Sequence, residues 1–409
     1  MKLGLDAMTH LLEELGSPHK SFTKIQIAGT NGKGSTCSFL ESICIESGLR
    51  TGVTTSPHLV SVLERIRIDG SEISEAEFGR CIGEVRDAAT RLLENKTIEH
   101  LPTFFEHVVA AALLSFRYAG VEIAIIETGL GGRLDATTAA CAELFGITRI
   151  DLDHQEYLGD TIEKIAAEKS AIMSEGSIVV SGIQVPAAER VIREFADSRN
   201  ATLDFVSPEN LPTGFILGLL GEHQLENAAV AVGISIRLSE TGFNHIDENS
   251  IKRGLAGALH PGRLEFSGEF LLDGAHNISG AKVLRSFLDQ RGFRKRVFVF
   301  GAMKGKDIKE MFQKLLDENS IVLTVPVDSP RALSPVELAE AAKSVVGDES
   351  AQAFDSIDDA LREIRRIRLG REWNTESDLV CVTGSLYLIG EFKAKMKADQ
   401  SDPTNVEGV

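Results

Sequence analysis

The stretch IAGTNGKGSTCSF, residues 27–39, places Gly29, Gly32 and Gly34 around Lys33 and follows them with Ser35 and Thr36. A Val/Ile-type run, KIQIA, leads into it, and a helical period leads out. Strand, glycine turn and helix in that order aim backbone N–H groups and a helix N-terminus at a polyphosphate. Gly29, Thr30, Asn31, Gly32, Lys33, Gly34, Ser35 and Thr36 are therefore candidate nucleotide-binding residues, with Lys33 neutralising phosphate charge and Ser35 or Thr36 facing a magnesium ion. The spacing departs from the common G-x-x-x-x-G-K-[ST] pattern, because a glycine separates Lys33 from Ser35.

Other segments end apolar runs with chemistry-bearing residues. TTSPHLVSVLERI exposes Ser56, Pro57 and His58 where Pro57 stops a strand, with Arg65 following. IIETGLGGRLDATT sets Glu127 at the end of a buried strand, where parallel sheets carry their sites, and a carboxylate there is a hard ligand for Mg²⁺. Asp135 follows in its glycine-rich loop. GITRIDLDH places His154 at another strand end, as a general base or a surface histidine on chemistry alone. Lys169, in AEKSAI, reads as a solvated helix lysine. Asn227 is unfavourable inside a helix unless its amide has a partner. Arg263 matches phosphate geometry, and Asp273 and His276 sit at a strand exit in LLDGAHN.

Continuous apolar runs alternate with helical periods along the chain, the signature of parallel strands covered on both faces. A second series of strands and helices follows the Gly/Pro-containing stretch GLAGALHPGRLEF. The expected fold is α/β: an N-terminal phosphate-loop-type, mostly parallel sheet with helices on both faces, and a smaller C-terminal Rossmann-like α/β domain. The expected boundaries are residues 1–258, a hinge at 259–266, a second domain at 267–398 and a disordered tail at 399–409. The 409 residues are long for a single core. Five scattered cysteines exclude a disulfide framework or a zinc pattern. The net charge of −17 argues against nucleic acid, and no apolar run is long enough to span a bilayer. A cytoplasmic monomer without membrane partners is expected.

GTNGKGS, TSPHL…ERI, ETGLGGRLDAT, HQLENAA, DGAHN and TGSLYL, in this order, resemble the folylpolyglutamate synthase/dihydrofolate synthase branch of the Mur ligase superfamily. Thr138, Asp151, Ser170, Ala171 and Gly305 depart from that pattern. The resemblance implies ATP, two Mg²⁺ ions, a monovalent cation, L-glutamate, and dihydropteroate or folate as substrates. It implies magnesium at Ser35, Ser56, Glu127 and His154, and a carbamylated Lys169. It puts Asn227, Arg263, Asp273 and His276 at the nucleotide, Pro57, His58, Arg65 and Asp135 at the pterin substrate, and Ser385 at the incoming glutamate. A peptidoglycan-precursor (UDP-muramyl) ligase is the alternative, but such enzymes carry an N-terminal UDP-sugar domain, and this loop already begins at Gly29.

Overall fold

The structure is a computed structural model that describes residues 5–370 and 372–401, with side chains through Glu391 and on to Lys397. The chain divides into two compact units, Met1–His260 and Pro261–Val409.

The first unit is built on eight strands: β1 Thr23–Ala28, β2 Thr51–Thr54, β3 Ile66–Ile68, β4 Ser71–Glu72, β5 Ile123–Glu127, β6 Leu144–Ile147, β7 Ile178–Gly182 and β8 Thr202–Val206. Their order is β4-β3-β2-β5-β1-β6-β7-β8. All pairings are parallel except β2 with β3 and β3 with β4. Alternate residues feed opposite layers. Ile25, Ile27, Val53, Ile123 and Ile125 join the core under the helices Lys33–Glu46, Gln224–Glu240 and Glu248–Gly257. Ala124, Ile126 and Ile66 join the core with Asp6–Glu14, Glu75–Glu94 and Phe104–Ala119. Ala28, Phe145, Ile147 and Val179 pack with Ile162–Ser170 and Pro186–Ser198.

Strand β1 is central, and the chain passes from β5 on one side of it to β6 on the other. That reversal opens a crevice at the carboxyl end of β1, where open α/β sheets place ligands. The sequence run GITRIDLD reads as a strand throughout, but β6 ends at Ile147. Beyond it, the Arg149 carbonyl accepts the N–H groups of Thr30, at 2.9 Å, and Asn31, at 3.3 Å. This segment spends its hydrogen bonds on the loop after β1 and so cannot extend the ladder.

The second unit carries β9 Glu265–Ser267, β10 Phe270–Asp273, β11 Lys295–Phe300, β12 Ser320–Thr324, β13 Ala351–Ala353 and β14 Asp378–Thr383. Their order is β13-β12-β11-β14-β10-β9, antiparallel only at β9. Asn277, Asp307, Ser334 and Ser356 each accept a backbone N–H at the start of a helix. The last helix runs Leu386–Ser401, so residues 399–401 are helical rather than tail, and 402–409 lie outside the described residues.

Candidate active site

The loop after β1 needs its glycines. Gly29 (φ 152°) and Gly32 (φ 91°) lie in the left-handed region. A Cβ on Gly29 would stand 1.8 Å from Thr148 Oγ1, and one on Gly32 would stand 2.0 Å from Asn227 Oδ1. Thr148 hydroxyl donates to the Asn31 carbonyl at 2.7 Å, and Thr30 hydroxyl bonds the Asp151 backbone at 3.0 Å. The loop is held from its other side by the helix Gln224–Glu240. Gln224 Nε2 donates to Ser35 Oγ (3.2 Å), and Asn227 Nδ2 donates to Gln224 Oε1 (2.9 Å). Thr36 hydroxyl donates to the Asn227 carbonyl at 3.3 Å. The amide that made Asn227 unusual inside a helix thus has its partner, directly beneath the loop.

Two lysines converge on one carbonyl. Lys33 Nζ donates to Gly29 O at 3.1 Å, and Lys169 Nζ donates to the same oxygen at 2.8 Å. Lys169 is 5% exposed, which overturns its reading as a solvated lysine. Its ammonium is pushed down to about 7, first by burial and then by the charge of Lys33, against the opposing pull of Asp153 and Asp135. The signal was available in the sequence. Ile165, Ala166, Lys169 and Ser170 share the buried face of one helix.

Glu127 ends β5 buried, and its Oε2 accepts the Ser56 N–H at 3.0 Å. Its Oε1 lies 3.7 Å from the position of a Cβ on Gly34. Ser56 and Glu127 therefore meet beside the first turn of the helix Lys33–Glu46, and Ser35 lies buried in that turn. These are oxygen donors of the kind magnesium takes. His154 follows the segment after β6. It adopts φ 50° ahead of the helix Gln155–Leu158, with its ring 4.0 Å from Asp153. Among the described residues no three His, Cys, Asp or Glu side chains group as a metal cage.

The segment after β2 turns through a cis Ser56–Pro57 bond. Arg65 Nε donates to His58 Nδ1 at 2.8 Å, and its guanidinium lies 5.5 Å from the centre of the Phe104 ring. Burial, and then the charge of Arg65, lower the His58 pKa, so this ring is a neutral acceptor at physiological pH. Asp135 is buried, with Oδ2 accepting from Leu130 N (2.8 Å) and Oδ1 from Thr137 N (3.0 Å). Burial raises its pKa against these bonds. The Phe105 ring reaches within 2.6 Å of a Cβ built on Gly129, beside Asp135 Oδ2.

Three neighbours escape the sequence reading: Phe105, Asp153 and His260. The His260 ring lies 2.7 Å from a Cβ on Gly34, with Nδ1 3.1 Å from Ser38 Oγ. Nothing in the spacing marks His260. Phe105 does lie within the capped start Thr103–Glu106 of an otherwise apolar helix.

In the second unit, Asp273 is buried, and burial raises its pKa although it accepts from Leu264 N and Ala275 N, both at 3.0 Å. Arg263 Nη1 is 3.4 Å from the Gly274 carbonyl, and His276 Nδ1 is 2.8 Å from the same oxygen. Ser385 is buried and accepts the Tyr387 N–H at 3.2 Å, at the start of the last helix.

A phosphate loop on a parallel sheet, with a carboxylate ending the neighbouring strand and a second doubly wound unit after it, defines a Mur-type ligase. The Mur ligase middle domain matches residues 27–207, and the dihydrofolate synthetase C-terminal domain matches residues 264–395. The chain belongs to the dihydrofolate synthase/folylpolyglutamate synthase family. It is 33% identical to the Bacillus subtilis dihydrofolate synthase/folylpolyglutamate synthase, over 97% of this chain and 96% of the relative. The structure of E. coli FolC in complex with DHPP and ADP superposes with a TM-score of 0.84, at 28% identity, over 98% of this chain and 95% of that one. The Yersinia pestis bifunctional folylpolyglutamate synthase/dihydrofolate synthase complexed with AMPPNP and Mn ion matches with a TM-score of 0.83, at 30% identity, over 97% and 94%.

Proposed function

We propose that this chain uses ATP to join L-glutamate to a pterin-bearing carboxylic acid, dihydropteroate or a folate, through an acyl phosphate. The observation that carries the reading is the convergence of the 29–35 loop, Lys33, Ser35 and the Ser56–Glu127 pair at the carboxyl end of β1 and β5. The solved relatives named with ADP, DHPP and Mn support it.

The loop N–H groups and Lys33 receive the β- and γ-phosphates of ATP. Lys33 can leave the Gly29 carbonyl for phosphate with little rearrangement, since its bond there is 3.1 Å long and part-buried. Ser35, Ser56, Glu127 and His154 would hold Mg²⁺, a carbamylated Lys169 would help position a second ion, and a monovalent cation is a further candidate. When bound, the divalent ions neutralise charge that develops on the transferring phosphoryl group. The pterin acid lies along Phe105, with Asp135 and the Arg65–His58 pair as its polar contacts and Pro57 shaping the turn. Its carboxylate oxygen attacks the γ-phosphorus, the bond to the β,γ-bridging oxygen breaks, and ADP leaves. The glutamate amine, having lost a proton, then attacks the acyl carbon and expels phosphate. Protein groups position and neutralise, and no covalent enzyme intermediate is needed. Asn227, Arg263, Asp273 and His276 are assigned to the nucleotide, and Ser385 to the incoming glutamate. The chain is proposed to act in the cytoplasm as a monomer. No described helix is long and apolar enough to cross a membrane.

The test is ADP release with dihydropteroate or tetrahydrofolate, each with and without L-glutamate, and a UDP-muramyl substrate as control. Release that requires a pterin acid together with glutamate is expected. Release with only the UDP-muramyl substrate would overturn the reading.

A further inference from the structure

Strand β1 carries a buried amide side chain at its centre. Gln26 is 0% exposed between Ile25 and Ile27. Its Nε2 lies 2.9 Å from Thr137 Oγ1, 3.0 Å from Thr138 Oγ1 and 3.2 Å from Thr128 Oγ1. Its Oε1 is buried and finds no hydrogen-bond partner among the described residues. An unsatisfied amide oxygen in a core is destabilising, so the side chain's contribution lies in what its N–H groups hold.

The directions of the hydrogen bonds say what it does. The Gly132 carbonyl can only accept, so Thr138 hydroxyl, 2.8 Å away, must donate to it. Thr137 hydroxyl donates to Asp135 Oδ1 at 2.5 Å, beside backbone N–H groups on both of that side chain's oxygens. Each threonine has then spent its one hydrogen and must accept from behind. Gln26 has two N–H hydrogens to give, and its amide orientation is set by the network. Both ends of the loop 132–138 are thus tied to one side chain in the strand that leads into the phosphate loop.

We propose that Gln26 is a positioning residue for the pterin substrate, which acts through Thr137 and Thr138 to hold Asp135 and the 132–138 loop in place. This rests on the assignment of Asp135 to that substrate. Asp135, held by the Thr137 hydroxyl and by the backbone N–H groups of Gly129, Leu130 and Thr137, is fixed as the anchor of the 132–138 loop.

The test is steady-state kinetics with dihydropteroate, ATP and L-glutamate varied in turn, on Gln26→Met, Thr137→Val, the double variant and Asp135→Asn. Gln26→Met leaves the Thr137 and Thr138 oxygens without that donor and should fold with a Tm a few degrees below that of the parent protein. It should raise KM for dihydropteroate about tenfold, the factor expected for one hydrogen bond to a charged group, and leave KM for ATP within twofold. Thr137→Val should do the same, and the double variant should be no worse than Thr137→Val alone, because both act in series. Multiplying effects, or KM values for ATP and dihydropteroate that rise together, would overturn the relay. Should Gln26→Met fail to fold, Thr137→Val alone decides: an unchanged KM for dihydropteroate refutes the proposal. If Asp135→Asn leaves that KM unchanged, the assignment of Asp135 falls and the relay with it. If Asp135→Asn raises it while the other variants do not, the relay alone falls.

Discussion

Lys169 shows how a residue acquires chemistry from its surroundings. Its amine is buried against the Gly29 carbonyl, with Lys33 on the same oxygen, and its pKa falls to about 7. An ordinary lysine is almost wholly protonated at neutral pH, whereas this one is largely a free amine above pH 7, the form that reacts with CO₂. The ¹³C carbamate signal from labelled bicarbonate should grow between pH 6 and 8 and be absent in Lys169→Met, which should also lose about 10²-fold or more in kcat. The stability linkage has a definite sign. The unfolded chain binds the proton up to about pH 10.4 and the folded chain only up to about 7, so this site makes the protein more stable as pH rises between those values. Thermal melts from pH 7 to 9 check it, with Lys169→Met lacking that component. The sequence alone showed the type and order of Lys33, Glu127 and Asp135, because glycine turns and strand ends are local signals. It could not show that two lysines share a carbonyl 140 positions apart in sequence from one of them, since that depends on how a helix packs on a sheet.

At the scale of elements, the loop is only as good as the pieces wedged against it. Gly32→Ala would drive a methyl into the Asn227 amide and strain a backbone at φ 91°. It should abolish ATP binding by calorimetry while far-UV circular dichroism is retained. Gly254 permits the helix Glu248–Gly257 to lie against the helix Lys33–Glu46, where a Cβ would stand 2.5 Å from Ile43 Cα. Backbone cannot yield as a side-chain tip can, so Gly254→Ala should destabilise by about 1–3 kcal/mol, read by urea unfolding. Parallel strands were legible because both their faces are buried. The short strands β3, β4, β9 and β13 were not, since two or three residues carry no period. The strand reading of 148–151 failed for a tertiary reason: that backbone serves the phosphate loop.

For the whole molecule, a net charge of −17 means that ATP, itself an anion, must be captured by local cations against an unfavourable field. Raising ionic strength from about 0.05 to 0.2 M at constant free Mg²⁺ should therefore not weaken ATP binding appreciably, and titration calorimetry at the two salt levels checks it. The division into two α/β series was legible from the Gly/Pro stretch around residue 260, and the chain separates into units at His260 and Pro261. Which pterin acid is preferred was not, because the residues proposed to contact it, Phe105 and the Arg65–His58 pair, come from separate segments. The central claim is that ATP activates a pterin carboxylate as an acyl phosphate, and isotope transfer tests it most directly. Dihydropteroate labelled with ¹⁸O in its carboxylate should yield, for each glutamate joined, one inorganic phosphate carrying a single ¹⁸O. Glutamate joined with unlabelled phosphate released would contradict the account.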